Sequence, residues 1–123
     1  MNIETKTQSY KELIVWQKSM ELVVLVYKLT EGFPKSELFS LVDQIRRASV
    51  SIPSNIAEGW ARRRILEYIH FLQIASGSAS ELETQLILSK RLNFGKTMDY
   101  QKIEDLLLEV QKLLYVIIKK LKA

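Results

Sequence analysis

The sequence contains no cysteine, which excludes disulfides, thiolate metal sites and cysteine nucleophiles. It contains one histidine, so a multi-histidine metal site cannot be built within one chain. Four glycines and two prolines in 123 residues are too few turn formers for a many-stranded sandwich or barrel. No apolar run approaches the roughly 18 residues of a membrane span. The stretch from Met1 to Ser9 is polar and lacks the apolar segment of a secretory signal, so a cytoplasmic protein is expected. What is present is an apolar fraction of 47%, enough to bury a core, in a chain the length of one domain. A net charge of +4 permits contact with phosphates without demanding it.

Helical periodicity predicts four helices, over about 10–30, 36–59, 65–92 and 99–121. Ser9 and Glu12 have capping-box spacing, with the hydroxyl aimed at the Glu12 amide. Leu13, Trp16, Met20, Val23 and Tyr27 make the main stripe of the first helix, and Gly32 with Pro34 closes it. Leu38, Leu41, Ile45, Ala48, Ile52 and Ile56 line the second helix. Pro53 falls inside that pattern, so either a kink or two shorter helices meeting there is expected. The third helix shows Ile65, Ile69, Leu72, Ala79, Leu82 and Leu86 on one face. Six small residues, Ala75 to Ser80, sit in its middle and either split it as a loop or let a neighbouring helix come close. The kept apolar phase favours a continuous helix with Gly77 and Ala79 at a close crossing, where Gly77→Leu would overpack. Asp99 reads as the N-cap of the last helix. That helix carries two adjacent stripes, one through Ile103, Leu106, Val110, Leu113 and Ile117, the other through Leu107, Leu114, Ile118 and Leu121.

Four long helices with short connections imply an all-α, antiparallel up-down-up-down bundle in a single domain. The first and last helices hold more apolar surface than one small bundle hides. The surplus means either a fatter core or a partner surface, and a second copy of the chain is the simplest partner. This topology gathers Arg62, Arg63 and Arg64 with Lys119, Lys120 and Lys122 at one end, near Trp60 and Tyr10, whose rings can stack on bases. The other reading of that end is a solvated helix terminus, where the lysines complement the dipole.

Candidates for chemistry are few. Glu67 and His70 have the Glu-x-x-His spacing of di-iron bundles, which need two such motifs and two further glutamates. No metal site, cofactor or catalytic set is therefore expected, and no Gly-x-x-x-x-Gly-Lys phosphate loop is present. Gln44, Arg47, Asn55, Glu58 and Glu81 lie on or beside apolar faces. They are expected to form a buried polar network that fixes helix register, a catalytic carboxylate pair being the lesser reading.

Several stretches carry a resemblance. They are Leu13-Ile14-Val15-Trp16-Gln17-Lys18, Phe33-Pro34 with Glu37-Leu38, and Gln44-Ile45-Arg46-Arg47-Ala48. Ser51-Ile52-Pro53-Ser54-Asn55-Ile56-Ala57-Glu58-Gly59 and the run from Phe71 to Glu81 complete the set. Together they resemble the bacterial four-helix-bundle proteins encoded in intervening sequences of 23S rRNA genes, and the related accessory protein of diversity-generating retroelements. The likeness runs from about Leu13 to Leu121. It implies a homopentamer with no enzymatic activity. For the retroelement relatives it also implies binding of RNA or DNA and of a reverse transcriptase. Members of this family often have Ser or Thr where this chain has Arg64. Two functions are carried forward: an oligomeric nucleic-acid-binding protein, and a structural or protein-interaction module without a nucleic-acid role.

Overall fold

The computed structural model describes residues 9–123, apart from the side chains of residues 97 and 98. Among the described residues it is all-α, with helices α1 (Ile14–Thr30), α2 (Leu41–Ala61), α3 (Ile65–Arg91) and α4 (Thr97–Lys122) and no strand. Single 3-10 turns over Tyr10–Glu12 and Lys35–Glu37 precede α1 and α2. The helices touch in the pairs α1–α2, α2–α3, α3–α4 and α1–α4, which closes a ring of four around one apolar core.

The helix starts differ from the sequence reading for local reasons. Leu13 is extended (φ −72°, ψ 126°) and separates the Tyr10–Glu12 turn from α1. The Lys11 amide donates to Ser9 Oγ at 3.1 Å, while the Glu12 amide donates to the Ser9 carbonyl. Ser9 therefore caps a 3-10 turn, one residue tighter than a capping box. α2 begins at Leu41 because residues 35–37 are taken up in the second turn. α4 begins two residues before Asp99, whose carboxylate then lies in the first turn, at the positive end of the helix dipole, rather than at the cap.

The face that α1 buries is not the one its largest side chains mark. Val15, Ser19, Leu22, Val26 and Leu29 point into the core. Leu13 of the expected stripe is buried, but Met20 and Tyr27 remain exposed and Trp16 and Val23 half-buried. On α4 the two stripes merge into one broad inward face, with Ile103, Leu106, Leu107, Val110, Leu114 and Leu121 all buried. The apolar surplus of α4 is instead Leu108, Tyr115 and Val116.

α2 runs unbroken through Pro53, whose ring is buried. α3 runs unbroken through its small residues. Ala75 and Ala79 are fully buried there, and Ser78 shares a 2.8 Å hydrogen bond with Ser51 of α2. Gly77, however, faces outward, and a Cβ placed on it would meet nothing within 4 Å. The expected overpacking by Gly77→Leu is thus corrected, since that position has open space. The close crossing lies at Gly59, where a Cβ would sit 2.7 Å from Phe71 Cβ. Gly77→Ala is accordingly expected to stabilise the fold by about 1 kcal/mol through helix propensity alone. A thermal melt checks this, and an unchanged or lower midpoint would mean that Gly77 is in contact after all.

Besides the Ser51–Ser78 contact, further polar ties brace the ring. Arg46 of α2 donates from Nε to Thr30 Oγ1 of α1 at 2.9 Å and places its guanidinium 4.5 Å from the Tyr27 ring centroid. Tyr100 of α4 donates its hydroxyl to the Phe94 carbonyl at 2.8 Å, and burial pushes its phenol above the usual value, so the donor proton stays in place.

Candidate nucleic-acid interface

The α2–α3 connection is three consecutive arginines, and the structure gives each a different environment. α2 ends at Ala61, and the Arg62 and Arg63 amides donate back to the Gly59 and Trp60 carbonyls. Arg62 continues the helical backbone; its Nε donates to Glu58 Oε2 at 2.9 Å and its Nη1 lies 3.6 Å from Glu67 Oε1. Its guanidinium also rests 5.2 Å from the Phe71 ring centroid. Arg63 takes the left-handed conformation, φ +62°, which turns the chain toward α3. Its guanidinium lies 4.2 Å from the centroid of the Trp60 ring. Arg64 is extended and is the N-cap of α3 without a side-chain cap, its Nε 3.7 Å from Glu67 Oε2. Helix α3 starts where the sequence reading put it, at Ile65, although Arg64 supplies no hydroxyl.

These contacts change the value of the triplet. Two carboxylates, Glu58 and Glu67, offset part of the charge of Arg62 and Arg64. Arg63 has no ion pair among the described residues. Lys119, Lys120 and Lys122 occupy the exposed last turn of α4, likewise without ion pairs among the described residues. Trp60 is 5% exposed and lies against Arg63, so its ring does not offer a stacking face to a base as expected. Tyr10 packs edge-on against Trp16, with centroids 5.4 Å apart, and belongs to the α1–α2 surface.

The expected polar network is not assembled within this chain. Gln44, Arg47, Glu58 and Glu81 are exposed, with Arg47 Nε donating to Asp43 at 3.0 Å and Glu58 held by Arg62. Only Asn55 enters a tie between helices: its Nδ2 donates to the Ser51 carbonyl and to Ser51 Oγ, the hydroxyl that meets Ser78. Glu67 is engaged by Arg62 and Arg64, and His70 is exposed with its ring edge-on to Phe71. No group of three or more His, Cys, Asp or Glu among the described residues can hold a metal ion. Among the described residues no helix is long and apolar enough to cross a membrane.

The Glu58–Arg62 and Arg64–Glu67 pairs were readable from their i,i+4 and i,i+3 spacing. The left-handed backbone of Arg63 was not, because nothing in Arg marks a position of positive φ.

A second surface runs between α1 and α2. Trp16, Met20 and Val23 of α1 line a shallow groove with Val50, Pro53 and Ala57 of α2. It continues through Tyr27 toward Leu38 and Phe39, just before α2. Phe39 is 92% exposed.

The family model for the 23S rRNA-intervening sequence protein matches residues 11–116, nearly all of the four-helix ring just described. The chain belongs to the 23S rRNA-intervening sequence protein family. Among solved structures similar to it is a crystal structure at 1.70 Å of a protein of unknown function from the S23 ribosomal protein family of Bacteroides thetaiotaomicron VPI-5482. That protein is 32% identical, the match covers 86% of this chain and 99% of that one, and the TM-score is 0.77. No curated protein matches the chain. The matched span takes in the arginine connection and most of α4, but ends before Lys119.

Proposed function

We propose that this chain is a non-enzymatic homo-oligomer that binds RNA or DNA through phosphate contacts. The observation that carries the reading is the positive charge of Arg63, Lys119, Lys120 and Lys122, none of which has an ion pair among the described residues. An antiparallel bundle would bring these groups to one end. That arrangement is supported by paired contacts running in opposite senses along neighbouring helices. Lys90 meets Glu104 at 3.1 Å, and seven residues back along α3 Glu83 accepts from Gln111, seven residues on along α4. Ser51 meets Ser78, and further along α2 Gly59 meets the earlier Phe71. Self-assembly is supported by the α1–α2 groove and the exposed Phe39, and the resemblance favours a pentamer. A reverse transcriptase is the protein partner that the resemblance proposes.

Binding of this kind is weakly sequence-specific and weakens steeply with salt. Filter binding of a mixed-sequence RNA, from low to physiological salt, tests it. Replacing Arg62, Arg63 and Arg64 together by Ala is expected to lower affinity and flatten the salt slope while the assembly keeps its mass. Equal binding by parent and triple variant would place the contact elsewhere. Absence of binding by the parent favours the second reading, an interaction module, toward which the pairing of Arg62 and Arg64 with Glu58 and Glu67 also points.

A further inference from the structure

Among the described residues, two that are not glycine have positive φ, and both follow helix ends. One is Asn93, φ +59°, after α3; the other is Arg63, φ +62°, after α2. Asparagine is a residue that tolerates this conformation, because its short side chain can satisfy the local backbone. Arginine is not, and glycine would adopt it at no steric penalty. The α2–α3 connection thus keeps a long cationic side chain where the backbone favours glycine. Strain retained at an exposed turn points to what the side chain does.

Three further observations say what that is. The Arg63 guanidinium is stacked 4.2 Å from the Trp60 ring centroid, and Trp60 is anchored in the core. The contact restrains the side chain, and the guanidinium N–H donors make no hydrogen bond among the described residues. Arg63 has no carboxylate partner among the described residues, whereas both of its neighbours do. The residue as a whole is exposed. An ordered, unpaired guanidinium on a surface matches a phosphate oxygen in both charge and donor geometry.

We infer that Arg63 is the principal phosphate-contacting residue of the arginine triplet, held ready by Trp60, and that Arg62 and Arg64 chiefly brace the turn through Glu58 and Glu67. This rests on the proposed nucleic-acid role and names the residue that performs it. The partner class is a nucleic-acid backbone, read through its phosphates and not its bases.

The test uses the full chain and a fluorescent mixed-sequence single strand, as RNA and as DNA of the same sequence. Arg63→Gly removes the guanidinium and suits the left-handed turn. Its melting temperature is expected to equal or exceed that of the parent, while binding weakens several-fold. The salt slope should fall by about 0.7 for each copy whose Arg63 contacts the strand. Arg63→Asn, which also tolerates the turn, should behave alike and serves if the glycine variant folds poorly. Arg62→Ala and Arg64→Ala should lower the melting temperature more and binding less. Equal loss on RNA and DNA supports a phosphate contact; loss on RNA alone overturns it in favour of 2′-hydroxyl readout. A parent that binds beside an Arg63→Gly variant that binds equally overturns this inference and leaves the nucleic-acid role standing. A parent that binds neither strand overturns the role itself.

Discussion

Gly59→Val is expected to lower the melting temperature by roughly 6–12 °C, the counterpart of about 2–3 kcal/mol in a domain of this size. The first atom added is already too close. A Cβ there stands 2.7 Å from Phe71 Cβ, 3.2 Å from Tyr68 Cδ1 and 3.3 Å from the Tyr68 carbonyl oxygen. Phe71 Cβ is the stiff root of its side chain, so relief requires α2 and α3 to part. Parting them pulls on the Ser51–Ser78 hydrogen bond further along the same contact and on the Arg62–Glu67 pair at its end. Valine then adds two methyls into a space that has none, and its branched Cβ returns little helix propensity. Circular-dichroism melts of parent, Gly59→Val and Gly77→Ala decide the matter. The two glycine variants should move in opposite directions, and an unchanged midpoint for Gly59→Val would mean that the helices do not meet there.

Met20→Glu together with Phe39→Glu is expected to reduce the mass in solution from several times 14.3 kDa to that of one chain. Phe39, 92% exposed, contributes little to its own subunit, and Met20, 41% exposed, lies at the rim of the fold and not in its core. The single-chain fold should therefore survive, as its helical signal would show. In an assembly that covers the α1–α2 groove, each buried Phe contributes about 1.5–3 kcal/mol, and every copy contributes again. Exchanging it for a carboxylate removes that gain and adds an unpaired charge to an apolar contact. Light scattering after gel filtration at micromolar concentration reads the result. A double variant of parental mass would show that this groove is not the contact, and a parent of single-chain mass would end the assembly proposal.

The helices were legible because apolar spacing persists where turn formers do not. α3 is the clearest case: Ala75 and Ala79 keep the phase of Leu72, Leu82 and Leu86 across the small residues, and the helix indeed continues. The face of α1 was not legible. Its two apolar stripes have the same spacing, and periodicity alone cannot say which of them meets the core. Bulk misled, since Trp16, Met20 and Tyr27 are larger than Val15, Leu22 and Val26, yet the narrow interior takes the smaller set. The same holds for glycine. Gly59 continues the heptad of Ile45 and Ile52 and so faces inward, whereas Gly77 is out of phase with its alanines. Counting that phase would have found the crossing. At the arginine connection, type and charge were visible in the sequence, but the division of labour depends on where Glu58, Glu67 and Trp60 come to rest.

The chain's two indoles stand in different surfaces. Trp16 lines the α1–α2 groove, and Trp60 lies under the Arg63 guanidinium. A cation fixed on one side of an indole shifts the energy of its excited state, and a phosphate drawn to that cation shifts it again. Burial of the groove instead changes the polarity around Trp16. Native fluorescence of this small helical protein therefore carries two separable signals, one for an anion at the turn and one for contact along α1, with each tryptophan exchanged for phenylalanine to tell them apart. No dye or tag has to be introduced near either surface to follow them in real time.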